Sequence, residues 1–299
     1  MKRIIIGSRG SDLALWQAHH VKAQLEALGS EVEIKIIITQ GDAIQDLSFD
    51  KLEGKGFFTK EIEIALLEGS IDVAVHSHKD LETNPPAGLE IVAVSERESP
   101  AELLLISKKA FDPDFPLHVK ENAIVGTSSA RRKSQLLRHR SDLKITDLRG
   151  NVPTRIEKLR SGAYDAIMLA KAGVDRLQID LSEFVVKVLD PTDFVPAPAQ
   201  GVLGLQIKSD HPEIAAVISK LNHPEIAELI KVERTILNRL DGGCQLPLGV
   251  YCPDLQNLYV SYAQNLNEAA NVRHYQHENV SGIVDLVLAD LNQGNNEEV

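Results

Sequence analysis

Three isoleucines, Ile4-Ile5-Ile6, run straight into Gly7-Ser8-Arg9-Gly10-Ser11, and this junction constrains the fold more than any other stretch. A short unbroken apolar run that stops at a Gly/Ser turn reads as a strand of a buried parallel sheet. Ser11 stands where a helix N-cap belongs. Leu13, Trp16, Val21, Leu25 and Leu28 then supply the apolar positions of a helix that ends at Gly29-Ser30. Residues 32–38 read as the next strand, which completes a βαβ opening with Arg9 at the carboxyl end of the first strand. Open α/β sheets take their ligands at that edge. Gly7 and Gly10 do not have the spacing of a dinucleotide fingerprint, so no such site is read here.

The alternation continues downstream. Residues 39–58 are polar and rich in glycine, including Gly54-Lys55-Gly56, and are expected to form a mobile loop without nucleotide P-loop spacing. A helix over 59–67 and a strand over 71–75 deliver His76-Ser77-His78-Lys79-Asp80. On a continuing strand His76, His78 and Asp80 would share a face, which invites a zinc reading. Leu81 stands where the metallo-β-lactamase pattern needs a histidine, and no downstream set completes the site. Asp80 alone is the other candidate, against the plain alternative of a solvated turn residue. Strands are predicted over 89–94, 103–106 and 123–125, the last leading through Gly126-Thr127-Ser128-Ser129 into a helix over 130–140. Small hydroxyls at such a turn make an anion site, because free N–H groups point outward there. Arg131 and Arg132 add charge, and simple N-capping with solvated arginines is the alternative. Further strands over 144–148 and 165–170 end in Arg149-Gly150-Asn151, followed by a helix with Arg155, and in Lys171-Ala172-Gly173, followed by Arg176. Strands over 184–189 and 202–207 follow, and the segment around 192–204 is expected to return to the first domain. Two helices, strands over 248–252, 258–262 and 271–275, and a helix over 283–291 close the chain before a tail, 293–299, expected to be disordered.

Between the second of those helices and the first of those strands lies Asp241-Gly242-Gly243-Cys244. Two glycines let the backbone turn sharply before the thiol. Cys244 is therefore either a small apolar residue under a cap turn or a thiol presented for covalent chemistry. Cys252 is expected to be buried, and two cysteines make neither a disulfide framework nor a zinc pattern. The net charge of −11 argues against general nucleic-acid binding. No stretch is long and apolar enough for a membrane span or a signal peptide, so a cytoplasmic location is expected. In so acidic a chain, basic residues gathered at strand ends carry more information: Arg9, Lys55, Lys60, Lys79, Arg131, Arg132, Arg149, Arg155 and Arg176. Arginine suits carboxylates and phosphates through its bidentate fork, so the set points to a polyanionic ligand. Asp80, an acid among cations, would serve where positive charge develops in that ligand.

Six stretches then fall in one order: Leu13-Ala14-Leu15-Trp16-Gln17-Ala18, Gly54-Lys55-Gly56, Val75-His76-Ser77 with Lys79-Asp80, Gly126-Thr127-Ser128-Ser129 with Arg131-Arg132, Leu148-Arg149-Gly150-Asn151-Val152, and Gly242-Gly243-Cys244. Together they resemble the porphobilinogen deaminase family over residues 3–252. The resemblance implies an α/β fold of two lobes like periplasmic binding proteins, 1–97 with 194–216 and 98–193. A small α+β C-terminal domain, 217–299, carries the cofactor cysteine. It implies that Cys244 holds a dipyrromethane through a thioether, as a primer for joining four porphobilinogen molecules head to tail with loss of ammonia. Hydrolysis then releases hydroxymethylbilane for haem biosynthesis. Asp80 would contact pyrrole N–H groups and stabilise the azafulvene cation. Lys79, Thr127, Ser129, Arg131 and Arg132 would contact the cofactor. Arg9, Ser11, Lys55, Arg149, Arg155 and Arg176 would bind substrate, with the Lys55 loop as a lid. A cytoplasmic monomer without metal, nucleic-acid or membrane partners is implied.

The chain departs from the family pattern at Ile5 and Ala101, where arginines are usual, at His78 for Met or Leu, and at Gln206 for Glu. The first two bear on pyrrole side-chain binding, with Arg3 a candidate substitute. The alternatives are a degenerate paralogue, or a two-lobed binding protein that holds an anionic pyrrole without polymerising it.

Overall fold

The structure, a computed structural model, describes residues 3–40, 59–240, 246–276 and 280–294. Lys55 with the loop expected around it, Cys244 with its Gly-Gly turn, and the last five residues lie outside the described residues. The chain divides into two compact units, Met1–Glu98 with Val202–Ala227, and Ser99–Gly201 with Glu228–Val299.

In the first unit the expected βαβ opening forms: β1 (Ile4–Ser8), α1 (Asp12–Ala27) and β2 (Val32–Ile36). Helix α2 (Lys60–Leu67) leads to β3 (Val73–Ser77), and β4 (Leu89–Val94) follows. The sheet has the order β2-β1-β3-β10-β4, where β10 (Leu203–Lys208) arrives from the far end of the sequence and runs antiparallel to both neighbours. Strand alternation sorts the side chains to two faces. Ile4, Ile6, Val73, Val75, Leu203, Leu205 and Ile207 pack on Val21 and Leu25 of α1 and on Ile214 and Ile218 of a later helix, Pro212–Ile218. Ala74 packs on Ile62 and Leu66 of α2, and Ile5 joins that apolar cluster.

In the second unit β5 (Glu102–Ser107), β6 (Ile124–Gly126), β7 (Lys144–Thr146), β8 (Ala166–Ala170) and β9 (Phe184–Leu189) form a sheet in the order β7-β6-β8-β5-β9. Helices α3 (Ala130–His139), α4 (Val152–Arg160) and α5 (Lys171–Leu177) follow β6, β7 and β8, and apolar clusters cover both faces. Helix α6 (Pro224–Arg239) then leads to an antiparallel sheet, β11 (Leu248–Asp254), β12 (Asn257–Tyr262) and β13 (Asn271–Gln276), with a closing helix over Val280–Gly294. Val232 and Ile236 pack on Val250, Leu258 and Val260, and Cys252 is buried as expected. Gly249 permits a close crossing: a Cβ there would lie 2.6 Å from the Val195 carbonyl oxygen. The α/β class, the two sheet-bearing lobes and the small C-terminal sheet with its helix agree with expectation.

Three local expectations need correction. Strand β3 stops at Ser77 and a 3-10 turn covers His78–Asp80, so the strand alternation behind the zinc reading does not extend to Asp80. Ser11 occupies the N-cap of α1 without a side-chain cap bond, its extended backbone alone making the turn. The closing helix runs to Gly294, past the predicted start of disorder. Among the described residues no helix is long and apolar enough to cross a membrane, and no three metal-ligating side chains cluster.

Candidate active site

In each unit the predicted residues gather where parallel strands end. In the first, β1 and β3 are hydrogen-bonded neighbours running the same way, so Arg9 after one and the 78–80 turn after the other share an edge. Ser8 fixes the start of that edge, its Oγ donating to the carbonyls of Arg9 at 3.0 Å and Ala14 at 3.1 Å. Gln17 of α1 reaches across and donates Nε2–H to Ser77 Oγ at 2.9 Å. The turn is held from the other side by the His78 N–H, which donates to the Val202 carbonyl at 2.9 Å. Asp80 is exposed, Lys79 beside it half-buried, and Arg9 and Ser11 half-buried on the neighbouring connection. The edge thus presents a solvent-reachable carboxylate on a turn whose entry is fixed by two hydrogen bonds.

The first of the two histidines before Asp80 is engaged inside the unit. His76 is buried and donates Nε2–H to Gln206 Oε1 at 3.0 Å. Burial lowers its pKa to about 4, opposed by the Gln206 bond, so the ring is neutral at ordinary pH. Gln206 in turn donates Nε2–H to Glu63 Oε1 at 3.3 Å, and burial raises the pKa of that carboxyl.

The second unit treats charge differently. The turn Thr127–Ser129 follows β6, and Ser129 caps α3 by accepting the Arg132 N–H at 3.4 Å. Ser128 Oγ bonds both the carbonyl and the N–H of Leu148, at 3.1 and 3.0 Å, which brings Arg149 beside this turn. Arg155, at the start of α4, donates from Nε to the Gly150 carbonyl at 2.7 Å. Thr127, Ser129, Arg149 and Arg155 are therefore brought together at one edge.

Arg131 and Arg132 join that edge from beneath. They are 5% and 6% exposed, and both meet the fully buried Glu102, Arg131 Nη2 to Oε1 at 2.5 Å and Arg132 Nη2 to Oε2 at 2.7 Å. Arg131 Nη1 also donates to the Val195 carbonyl at 2.9 Å, and Arg132 Nη1 to the Met168 carbonyl at 3.1 Å. Burial pushes the Arg131 pKa down, and Glu102 acts against this. Arg132 Nε is buried with no hydrogen-bond partner among the described residues. Two cations thus share one carboxylate, with one donor left over, which is the chemistry of a site that accepts a further anion. Arg176 is buried as well and donates from Nη2 to the Gly201 carbonyl at 3.2 Å.

Two carboxylates escaped the sequence reading. Glu102 opens β5, antiparallel to β8, so its register partner Ala170 sets it at the carboxyl edge. Only the sheet order reveals this, because nothing in the local sequence marks Glu102 as the partner of arginines thirty residues on. Glu233 of α6 is fully buried, accepting the Ala199 N–H at 2.7 Å and the Cys252 N–H at 2.8 Å. Its sequence signal is a lone acid among the apolar positions of α6.

Comparison with known proteins gives the family. The family description "Porphobilinogen deaminase, dipyromethane cofactor binding domain" matches residues 4–216, and "Porphobilinogen deaminase, C-terminal domain" matches residues 227–261. A porphobilinogen deaminase of a Nitratiruptor species is 46% identical over 255 residues, covering 85% of this chain and 80% of the relative. Those of Sulfurimonas denitrificans and Laribacter hongkongensis are 44% and 41% identical, covering 84% and 87% of this chain and 79% and 83% of the relatives. A solved Salmonella typhimurium periplasmic binding protein is 12% identical and covers 74% of this chain and 92% of its own, with a TM-score of 0.42, too low to carry weight. Family descriptions over both ends and relatives above 40% identity leave one assignment: the chain belongs to the porphobilinogen deaminase family.

Proposed function

We propose that this chain is a transferase, a hydroxymethylbilane synthase, that deaminates and joins four porphobilinogen molecules head to tail on a dipyrromethane primer. The observation that carries this reading is the buried Arg131–Arg132–Glu102 cluster, whose Arg132 Nε–H has no partner among the described residues, a donor set that fits the carboxylate side chains of such a primer. Cys244 would hold the group covalently, and Lys79, Thr127, Ser129, Arg131 and Arg132 would hold its side chains. When bound, it supplies the growing point to which units are added.

The chain's own residues then have distinct tasks. Arg9, Ser11, Lys55, Arg149, Arg155 and Arg176 bind the carboxylates of incoming units, and arginine forks orient them. Asp80, exposed on a fixed turn, is the anion against which positive charge develops as ammonia leaves the substrate. Its approach is already held, because the residues that lead into the turn, Ser77 and His78, are both bonded. The proposed division is 1–97 with 194–216, 98–193, and 217–299. The net charge of −11 favours a small-molecule ligand over nucleic acid, and a cytoplasmic monomer working without metal is proposed.

Intact mass of the purified protein beside a Cys244→Ser control tests this reading. An excess of two pyrrole units confined to the wild type, with ammonia and tetrapyrrole formed from porphobilinogen, supports it. A wild type that neither carries nor acquires the excess, and releases no ammonia, refutes it.

A further inference from the structure

Strand β10 engages β3 and the turn after it at alternate residues. Just ahead of β10, the Val202 carbonyl takes the His78 N–H. At Gly204 a Cβ would come within 3.3 Å of the His78 ring and 3.2 Å of Leu81, so the glycine leaves the space that these side chains fill. Gln206 then bonds His76, and through Glu63 the connection continues into α2. His76, Gln206 and Glu63 are all buried on the face of the sheet that α2 covers, and no step of the reaction above uses them. With Glu63 ionised, the direction of this chain follows from its carboxylate, which can only accept. A flipped Gln206 amide would set its oxygen against the Glu63 carboxylate oxygen, two acceptors facing each other. Glu63 therefore assigns the amide, and the amide assigns the proton to His76 Nε2.

We infer that Gln206 is a positioning residue for the chemistry at Asp80, acting through His76 and the turn that follows it; this rests on the function proposed above. Asp80 is four residues beyond His76 and outside the strand, so its place depends on what holds the strand end. Val202, Gly204 and Gln206 hold that end from one side, and Gln206 does so with a side chain that does not titrate. The titratable groups facing the chain are Glu63 of α2, Glu82 beyond the turn, and His78 over Gly204.

Two variants test the role in the holoenzyme. Gln206→Leu removes both bonds and is expected to lower kcat about tenfold with KM within about twofold, the split expected when orientation rather than binding is lost. Gln206→Glu places a carboxylate against both His76 and Glu63, and its negative charge raises the pKa of each. Its kcat–pH profile is expected to gain an inflection between about pH 5 and 8 that the wild type lacks. NMR titration of the His76 ring should show the same upward move, independently of turnover. A folded Gln206→Leu variant with kcat within twofold of wild type overturns the role. So does a Gln206→Glu profile that superimposes on the wild type while His76 titrates higher, which keeps the test open if the leucine variant does not fold. A wild type without deaminase activity would instead end the functional reading, and the positioning role with it.

Discussion

The two five-stranded sheets are built alike and charged differently. In β2-β1-β3-β10-β4 and in β7-β6-β8-β5-β9 the first three strands are parallel, and the fourth runs antiparallel to both neighbours. In each, that fourth strand is the first one after the chain passes from the other unit, β5 after Ser99 and β10 after the return at Val202. The inserted strand then sets the electrostatics of the edge. Strand β10 contributes the neutral Gln206, which bonds a neutral imidazole and leaves Asp80 exposed on its turn. Strand β5 contributes Glu102, which sits between two buried guanidinium groups. The two sheets therefore share a topology, and the inserted strand brings a neutral polar side chain in one and a carboxylate in the other.

The strongest way to break the comparison is to remove the second unit's anion. Glu102→Gln leaves two buried guanidinium groups without their countercharge and is expected to cost about 3–5 kcal/mol of stability, read by urea unfolding. A loss below about 1 kcal/mol would mean that the arginines are neutralised elsewhere. Asp80→Asn is the matching change in the first unit, with the opposite signature. Elongation should fall by about 10²–10³-fold with the melting temperature unchanged, because the exposed carboxylate serves the reaction rather than the fold. Near-normal bilane formation would remove Asp80 from the chemistry.

The neutral chain in the first unit predicts a pH limb. With a folded pKa of about 4 against an ordinary 6.5, His76 takes up a proton more readily in the unfolded chain. Stability should therefore decline as pH falls from about 6.5 to about 4, by about 3 kcal/mol at most, and level off below. Glu63, whose pKa is raised, acts with the opposite sign, so His76→Gln compared with wild type isolates the histidine. An unchanged acid limb in that variant would show that His76 is not its source. The smallest effect separates the two serine turns. Ser129→Ala removes a cap bond and should cost about 1 kcal/mol, whereas Ser11→Ala, with no cap bond to lose, should cost almost nothing. A KM increase in the Ser11 variant at unchanged stability would then report substrate contact alone.

Much of this molecule was legible in one dimension. Apolar runs ending at Gly/Ser turns gave the strands to within a few residues, because a buried strand needs every side chain apolar and the turn after it needs small residues. The same turns placed Arg9, Asp80, Thr127, Ser129 and Arg149 at strand ends. The Asp80 turn was misread in its geometry, since nothing in His76-Ser77-His78-Lys79-Asp80 marks where pairing with Leu203 stops and the strand gives way to a 3-10 turn.

The sequence by itself determined the alternation of strands and helices, the strand ends at which the candidate residues lie and, through six ordered stretches, the family. Only the tertiary structure decided which charges stay in water and which are buried against a partner. Arg131 and Arg132 look as exposed in sequence as Arg149, and become buried because β5 inserts beside β8 and brings Glu102 beneath them. Gln206 reads as one polar residue in an apolar strand, and gains a role only when β10 lies beside β3 with α2 above. Local periodicity fixes which face a side chain takes, but the partner waiting on that face comes from a strand far away in sequence. Whether a polar group is solvated or satisfied inside depends on that partner.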